Sequence, residues 1–161
     1  MSYRIALVCL GNICRSPTAD VVLNALLADT DLDVVAESCG TAGWHVGEPM
    51  DARSAAVLAD AGYDPSRHRA RQFGPSWFDC DLILAMDRQN LSDVLDLLPA
   101  DRHDRVSLFR SYDPAAGDGA APDVPDPWYG GADGFAEVLT IVERTSRALV
   151  TALEGSGQRP R

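Results

Sequence analysis

The chain has 161 residues, 46% of them apolar, which is the size and composition of one globular domain and excludes a disordered chain. Its net charge of −10, from 24 acidic against 14 basic residues, argues against nucleic acid or an anionic membrane surface as a partner, so any anion must be bound locally. No apolar run approaches the roughly 20 residues of a membrane span, and Met1-Ser2-Tyr3-Arg4 runs straight into a strand pattern with no leader signature, so the cytoplasm is the expected location.

In chain order, Tyr3 to Val8 is a short apolar run that predicts a buried strand. Ser16 suits an N-cap and Pro17 the first helical position. Val22, Leu23, Leu26 and Leu27 give that helix an apolar stripe to about residue 27. Asp33 to Glu37 predicts a second strand, and Cys39 to Pro49 a loop carrying Trp44 and His45. Asp51 caps a second helix, which Gly62 ends. The Arg-rich stretch Asp64 to Pro75 reads as a surface connection. Ser76 to Cys80 reads as a short helical turn with Trp77 in the core, and Asp81 to Ala85 as the third strand.

Leu91, Val94, Leu95 and Leu98 form the buried face of a helix ahead of Pro99, and Val106 to Phe109 is the fourth strand. Ser111 to Gly131 has no period and carries four Pro and four Gly; a loop that long inside a compact domain is expected to be functional. Phe135, Val138, Leu139, Val142, Leu149 and Leu153 mark a long last helix. Strands alternating with helices predict a single-domain, three-layer α/β/α fold on a four-stranded parallel sheet. The domain is expected over residues 1–154, with a frayed tail over 155–161.

Ligands of such sheets bind at the carboxyl ends of the strands. There the first strand delivers Cys9-Leu10-Gly11-Asn12-Ile13-Cys14-Arg15-Ser16-Pro17. A loop entering a helix N-terminus turns backbone N–H groups inward, and the helix dipole adds about half a positive charge. Gly11 relaxes the backbone and Asn12 tolerates positive φ. Arg15 can grip two phosphate oxygens with its fork. The same surroundings favour a thiolate at Cys9, to which Ser16 can donate a hydrogen bond. The sequence therefore predicts a phosphate cradle built on a reactive thiol.

No Gly-Lys-Ser/Thr and no G-x-G-x-x-G follows a strand, which leaves nucleotide and dinucleotide sites unsupported. Cys9, Cys14, Cys39 and Cys80 contain no Cys-x-x-Cys, and His45, His68 and His103 have no metal spacing with them. Neither a metal nor a cofactor is expected, and Cys39 and Cys80 read as buried, inert thiols.

The segment Cys9 to Pro17 resembles the signature of the low-molecular-weight protein tyrosine phosphatases. Ser38-Cys-Gly-Thr-Ala-Gly-Trp-His-Val-Gly47 is similar to that family's second loop, with Cys39 where a small residue such as Ala is usual. His68-Arg-Ala, Ala85-Met-Asp-Arg-Gln-Asn90 and Asp126-Pro-Trp-Tyr-Gly130 resemble further family segments, in order, over nearly the whole chain. The resemblance implies hydrolysis of phosphotyrosine on protein substrates through a phosphocysteine intermediate, by an enzyme expected to be monomeric. It implies Cys9 as nucleophile, Arg15 as phosphate clamp, and Leu10, Gly11, Asn12, Ile13, Cys14 and Ser16 as the rest of the cradle.

Cleavage of a phosphate monoester also needs a proton donor for the leaving group. Spacing alone does not choose among Asp113, Asp118, Asp123 and Asp126; the family resemblance selects Asp126, between Pro125 and Pro127. It also implies Trp44, Trp128 and Tyr129 as pocket walls for an aromatic ring. Asn12, Ser38 and His68 are implied as supports of the strained loop, with Asp87 orienting His68. Cys14, five residues after Cys9, is expected to capture an oxidised Cys9 as a disulfide.

Two relatives compete. An arsenate reductase needs further relay thiols, but Asp87 stands where a partner for Cys80 would fall. Protein-arginine phosphatases carry Thr where this chain has Ile13, and an apolar Ile13 suits an aromatic ester better.

Overall fold

A computed structural model describes residues 2–128 and 130–157. Its centre is a sheet of four parallel strands in the order β2-β1-β3-β4. The strands are β1 (Tyr3–Cys9), β2 (Val34–Gly40), β3 (Leu82–Ala85) and β4 (Val106–Leu108). The helices are α1 (Arg15–Leu27), α2 (Ala52–Asp60), α3 (Arg88–Leu97) and α4 (Ala132–Gly155).

Alternation along β1 builds two cores at once. Ile5, Leu7 and Cys9 pack with Val22 and Leu23 of α1, Leu58 of α2 and Val142 and Leu149 of α4. Ala6 and Val8 face the other way, onto Phe73, Trp77 and Val94 of α3. A strand buried on both faces must be apolar at every position, which is why Ile5 to Val8 shows no polar alternation. The chain leaves β1 for β2 on one side and returns to β3 on the other. The carboxyl ends of β1 and β3 therefore face a topological switch point, where ligands of such sheets bind.

Several boundaries differ from the sequence reading. Helix α1 begins at Arg15, and its N-cap is Cys14, which makes no side-chain capping bond. Ser16 is fully buried inside the first turn. Strand β2 runs on through Cys39 and Gly40, which pair with Val8 and Cys9. A Cβ on Gly40 would lie 2.6 Å from the Leu10 carbonyl oxygen, so only glycine lets the strand pass so close to the loop.

The Asp64–Pro75 stretch is not wholly surface: Ala70 and Phe73 are buried, and Gln72 bridges Gly40. The short helical turn spans Pro75–Trp77, and a further 3₁₀ turn, Ala100–Arg105, precedes β4. Phe109, expected to end β4, instead opens a 3₁₀ turn and is fully buried. Asp51 caps α2 as expected, accepting from the Arg53 and Ser54 backbone N–H groups, and Gly62 follows it at φ +92°. Gly155 belongs to α4 rather than to a tail, and residues 158–161 of the expected tail lie outside the described residues.

Candidate active site

The Cys9 loop is assembled from inside the core. Cys9 ends β1 at 3% exposure, and Asn12, Arg15 and Ser16 are 0%, 3% and 0% exposed. Asn12 stands at φ +58°, alone in positive φ among the described non-glycine residues. Its polar groups repay that conformation: Nδ2 donates to Ser16 Oγ at 2.9 Å, and Oδ1 accepts from the Arg71 backbone N at 2.9 Å. Its carbonyl oxygen accepts from His68 Nε2 at 2.7 Å.

Ser16 Oγ lies 2.9 Å from Cys9 Sγ. Because Asn12 donates to that oxygen, the hydroxyl proton of Ser16 is left for an acceptor, and the sulfur at 2.9 Å is nearer than the Cys39 carbonyl at 3.4 Å. This explains why Ser16 is no helix cap. Its hydroxyl is committed inward, and the helix N-terminus is left open toward the cavity, as an anion site requires.

Arg15 Nη1 donates to Asp87 Oδ2 at 2.6 Å and to the Val124 carbonyl at 3.1 Å, while Nη2 lies 3.7 Å from Asp126 Oδ2. Burial opposes its charge, but Cys9, Asp87 and Asp126 outweigh that and hold the guanidinium above its ordinary range. Asp87 also caps α3, accepting from the Asn90 N–H at 2.7 Å. The expectation that Asp87 orients His68 is therefore corrected: Asp87 orients Arg15.

The carboxylate acting on His68 is Asp20. Asp20 accepts from Ser38 Oγ at 2.9 Å and from Asn24 Nδ2 at 2.7 Å. Burial raises the Asp20 carboxyl above the usual range and lowers His68 below its own. Ser38 and His68 thus stand behind the loop rather than in the cavity.

A cavity of about 280 Å³ opens above the loop. Cys9, Leu10, Gly11, Ile13, Cys14 and Arg15 line it from below, and Trp44, Asp126 and Trp128 from above, with His45 in its wall. Of the four loop aspartates, only Asp126 lines it. Asp113 is buried against Arg144 and Arg110, Asp123 pairs with Arg88, and Asp118 is exposed. Asp126 Oδ1 accepts from the Trp128 backbone N at 3.0 Å, which tightens the loop tip and leaves Oδ2 toward Arg15. Trp44 is 72% exposed and Trp128 39%, so the upper walls are open faces rather than core. Tyr129 lies outside the described residues.

All four cysteines are free and buried. Burial, followed by the charge of Asp51, pushes the Cys14 thiol up to about 12. Among the described residues no group of three or more His, Cys, Asp or Glu is placed to hold a metal ion, and no helix is long and apolar enough to cross a membrane.

Sequence reading missed Asp20, His45 and Arg53. The first sits one helical turn beyond Ser16, and that spacing was the available signal. His45 is two residues short of Gly47 in the quoted second loop. Arg53 had no signal beyond its place in the first turn of α2.

Residues 4–159 match a model of the family described as low molecular weight phosphotyrosine protein phosphatase. A low molecular weight protein-tyrosine-phosphatase of Streptomyces coelicolor is 50% identical over 157 residues, covering 95% of this chain and 94% of the relative. The Bacillus subtilis protein YfkJ has a solved structure with a TM-score of 0.88 at 29% identity, covering 98% of each chain. Wzb of Vibrio vulnificus, solved in complex with benzylphosphonate, gives a TM-score of 0.79 at 26% identity over 92% of this chain and 97% of that one.

Proposed function

The chain belongs to the low molecular weight protein tyrosine phosphatase family and hydrolyses phosphotyrosine; on that premise we propose that it does so in two steps through a phosphocysteine at Cys9. In the first, Cys9 Sγ attacks phosphorus in line as the bond to the tyrosyl oxygen breaks. Asp126 gives its proton to that oxygen, so the leaving group departs as a phenol. Charge spreading over the three equatorial oxygens is met by loop N–H groups and by the Arg15 fork, which Asp87 holds in place. In the second step Asp126, now ionised, takes a proton from water. The water oxygen attacks phosphorus, the phosphorus–sulfur bond breaks, and inorganic phosphate leaves Cys9 as a thiolate.

One observation carries this reading: Cys9, Arg15 and Asp126 line the same cavity although Asp126 is distant in sequence. The apolar side chain of Ile13 and the faces of Trp44 and Trp128 in its walls suit an aromatic ester. The benzylphosphonate bound by the Vibrio protein has the same shape of ligand. The substrates proposed are phosphotyrosine-bearing proteins, and the catalytic unit is a single domain that ends with α4 at Gly155, acting as a monomer. Four free cysteines suit a reducing compartment, and the cytoplasm is the proposed location.

The test compares wild type and Cys9→Ser on phosphotyrosine and phosphoarginine peptides, p-nitrophenyl phosphate and arsenate with thiol. Acid quench with labelled substrate is used to trap the intermediate. Wild type should hydrolyse phosphotyrosine in preference to phosphoarginine, trap label on Cys9 and leave arsenate unreduced, while Cys9→Ser should hydrolyse neither ester, trap no label and likewise leave arsenate unreduced. Turnover by Cys9→Ser, or a preference for phosphoarginine or arsenate, defeats the reading.

A further inference from the structure

The tip of the acid loop is held from outside by one side chain. Arg53, in the first turn of α2, grips Asp51 through Nε at 3.2 Å and Nη2 at 3.1 Å. Its remaining nitrogen, Nη1, donates to the Trp128 carbonyl at 3.3 Å. The flat guanidinium lies over the rings of Trp128 at 5.0 Å and Phe135 at 4.5 Å. Asp51 raises the Arg53 pKa above its ordinary range, so the cation is permanent at any working pH.

Asp51 is itself anchored to the cradle: its backbone N–H donates to the Ile13 carbonyl at 2.9 Å. A continuous chain of contacts therefore runs from the nucleophile loop at Ile13, through Asp51 and Arg53, to Trp128. From Trp128 the backbone N–H reaches Asp126 Oδ1 at 3.0 Å.

We propose that Arg53 is a positioning residue for the general acid. It sets where the Asp126-Pro127-Trp128 tip sits relative to the Cys9 cradle. The proposal rests on the reading of Asp126 as proton donor.

The chemistry requires such a device. Asp126 is itself exposed, with a side chain 45% accessible, and among the described residues its one close hydrogen bond is that from Trp128. A carboxyl in that setting transfers a proton to the leaving oxygen only if its loop is fixed against the cradle, and a misplacement of about 1 Å costs on the order of 10²-fold. A lysine in place of Arg53 would not serve. An ammonium has no fork for Asp51, and its point charge does not stack as a plane between two rings.

The distinguishing readout is leaving-group dependence. Protonation matters little when a dinitrophenolate departs and much when an unactivated phenolate does. Arg53→Met keeps the apolar stem, and Arg53→Lys keeps the charge. For each, kcat/KM would be measured with phenyl phosphate and with 2,4-dinitrophenyl phosphate, beside vanadate inhibition as a gauge of the cradle.

Arg53→Met should lose about tenfold to a hundredfold on phenyl phosphate, about twofold or less on the dinitrophenyl ester, and nothing in vanadate affinity. Arg53→Lys should resemble Arg53→Met. Adding Arg53→Met to Asp126→Asn should cause little further loss on phenyl phosphate, because Arg53 has then nothing to position. Equal losses on both esters, no loss on either, recovery in Arg53→Lys, or additive losses in the double variant would each overturn the proposal. If Asp126→Asn alone shows no leaving-group dependence, it is the assignment of the acid that fails, whatever Arg53 does.

Discussion

The loop of Cys9, the proposed nucleophile, and the loop of Asp126, the proposed acid, meet over one cavity but are built on opposite terms. The nucleophile loop is core. Cys9, Asn12, Arg15 and Ser16 are all within 3% of full burial, and each polar group finds its partner inside the fold. Strand β2 runs alongside, with Thr41 and Ala42 donating to the Cys9 and Leu10 carbonyls at 2.9 Å.

The acid loop is surface held by arginines. Arg88 reaches Asp123 and the Ala121 carbonyl, Arg110 the Asp123 carbonyl, Arg144 the buried Asp113, and Arg53 the tip. It is anchored in the interior at Val124, 1% exposed, whose N–H donates to the Met86 carbonyl at 2.7 Å, and Asp113 and Pro127 are buried as well. The difference follows from the two tasks. An oxyanion cradle must be aimed before substrate arrives, because reorganising dipoles at the moment of reaction costs rate. The proton donor needs only a fixed position over an opening wide enough to admit a ring.

The sharpest way to break this comparison is to damage each half and read stability and rate together. Asn12→Ala leaves Ser16 Oγ and the Arg71 N–H without their partner, about 1–3 kcal/mol for such orphaned groups. It also puts an ordinary side chain at φ +58°, about 1–2 kcal/mol more. For a chain of this size each kcal/mol is about 2–4 °C. The melting temperature should fall by roughly 5–15 °C, with activity lost on every ester. Asn12→Gly should recover the backbone part only.

Asp126→Asn should do the reverse. It should lower kcat/KM for phenyl phosphate by about 10²–10⁴-fold and leave melting within about 0.5 kcal/mol of wild type. Calorimetry beside the two rates decides: if Asp126→Asn unfolds the chain as readily as Asn12→Ala, the two halves are not differently built.

The same contrast explains what could be read from sequence. The parallel sheet was legible because doubly buried strands are short unbroken apolar runs, as in Ile5 to Val8 and Leu82 to Leu84. The cradle was legible because Cys9, Asn12 and Arg15 each have a local reason to be there: strand end, positive φ, helix start.

Ser16 misled as a cap because capping preference is local, while the claim of Cys9 and Asn12 on its hydroxyl is tertiary. Gly40 read as loop because a glycine that admits a neighbouring backbone looks the same as one that turns the chain. Asp87 was assigned the wrong partner because Arg15 and His68 both lie near the loop, and only three dimensions separate them. The acid loop was least legible. Its four aspartates differ not in spacing but in their partners: arginines from different elements reach Asp113, Asp123 and Asp126, while Asp118 is exposed.

A smaller effect tests the base of the acid loop. Arg144 holds the Asp113 carboxyl well below the usual carboxylate range, helped by the Ala115 N–H and Arg110. A carboxyl depressed in the folded state stabilises the fold fully above its unfolded pKa, about 3.9. That stability is lost as the pH falls further toward the folded value. The expected outcome is a wild type that weakens below about pH 4. An Asp113→Asn variant should start less stable at pH 7 and decline less steeply over the same acid range, as measured by urea melts at each pH. Equal slopes for the two proteins would mean that the carboxyl is not what ties the loop to α4.

The smallest change belongs to Cys14, which lies on the cradle side of the cavity and carries the expected redox role. If Cys9 is oxidised by peroxide to the sulfenic acid, attack by Cys14 sulfur forms the disulfide and releases water. The attacking species is the thiolate, and the Cys14 thiol, pushed up to about 12, is almost wholly protonated at neutral pH. Capture should therefore be slow near pH 7 and accelerate about tenfold per pH unit, in step with the Cys14 thiolate fraction, until it ionises. Cys14→Ser puts a hydroxyl where a buried thiol stood, at about 1–3 kcal/mol, so recovery is read against the variant's own untreated activity. After prolonged peroxide at high pH, wild type should regain activity on adding thiol, whereas in Cys14→Ser the uncaptured sulfenic acid goes on to the irreversible sulfinic acid and the variant should stay inactive. Recovery that is independent of pH, or unchanged in Cys14→Ser, would leave the thiol as a packed wall of the cradle and nothing more.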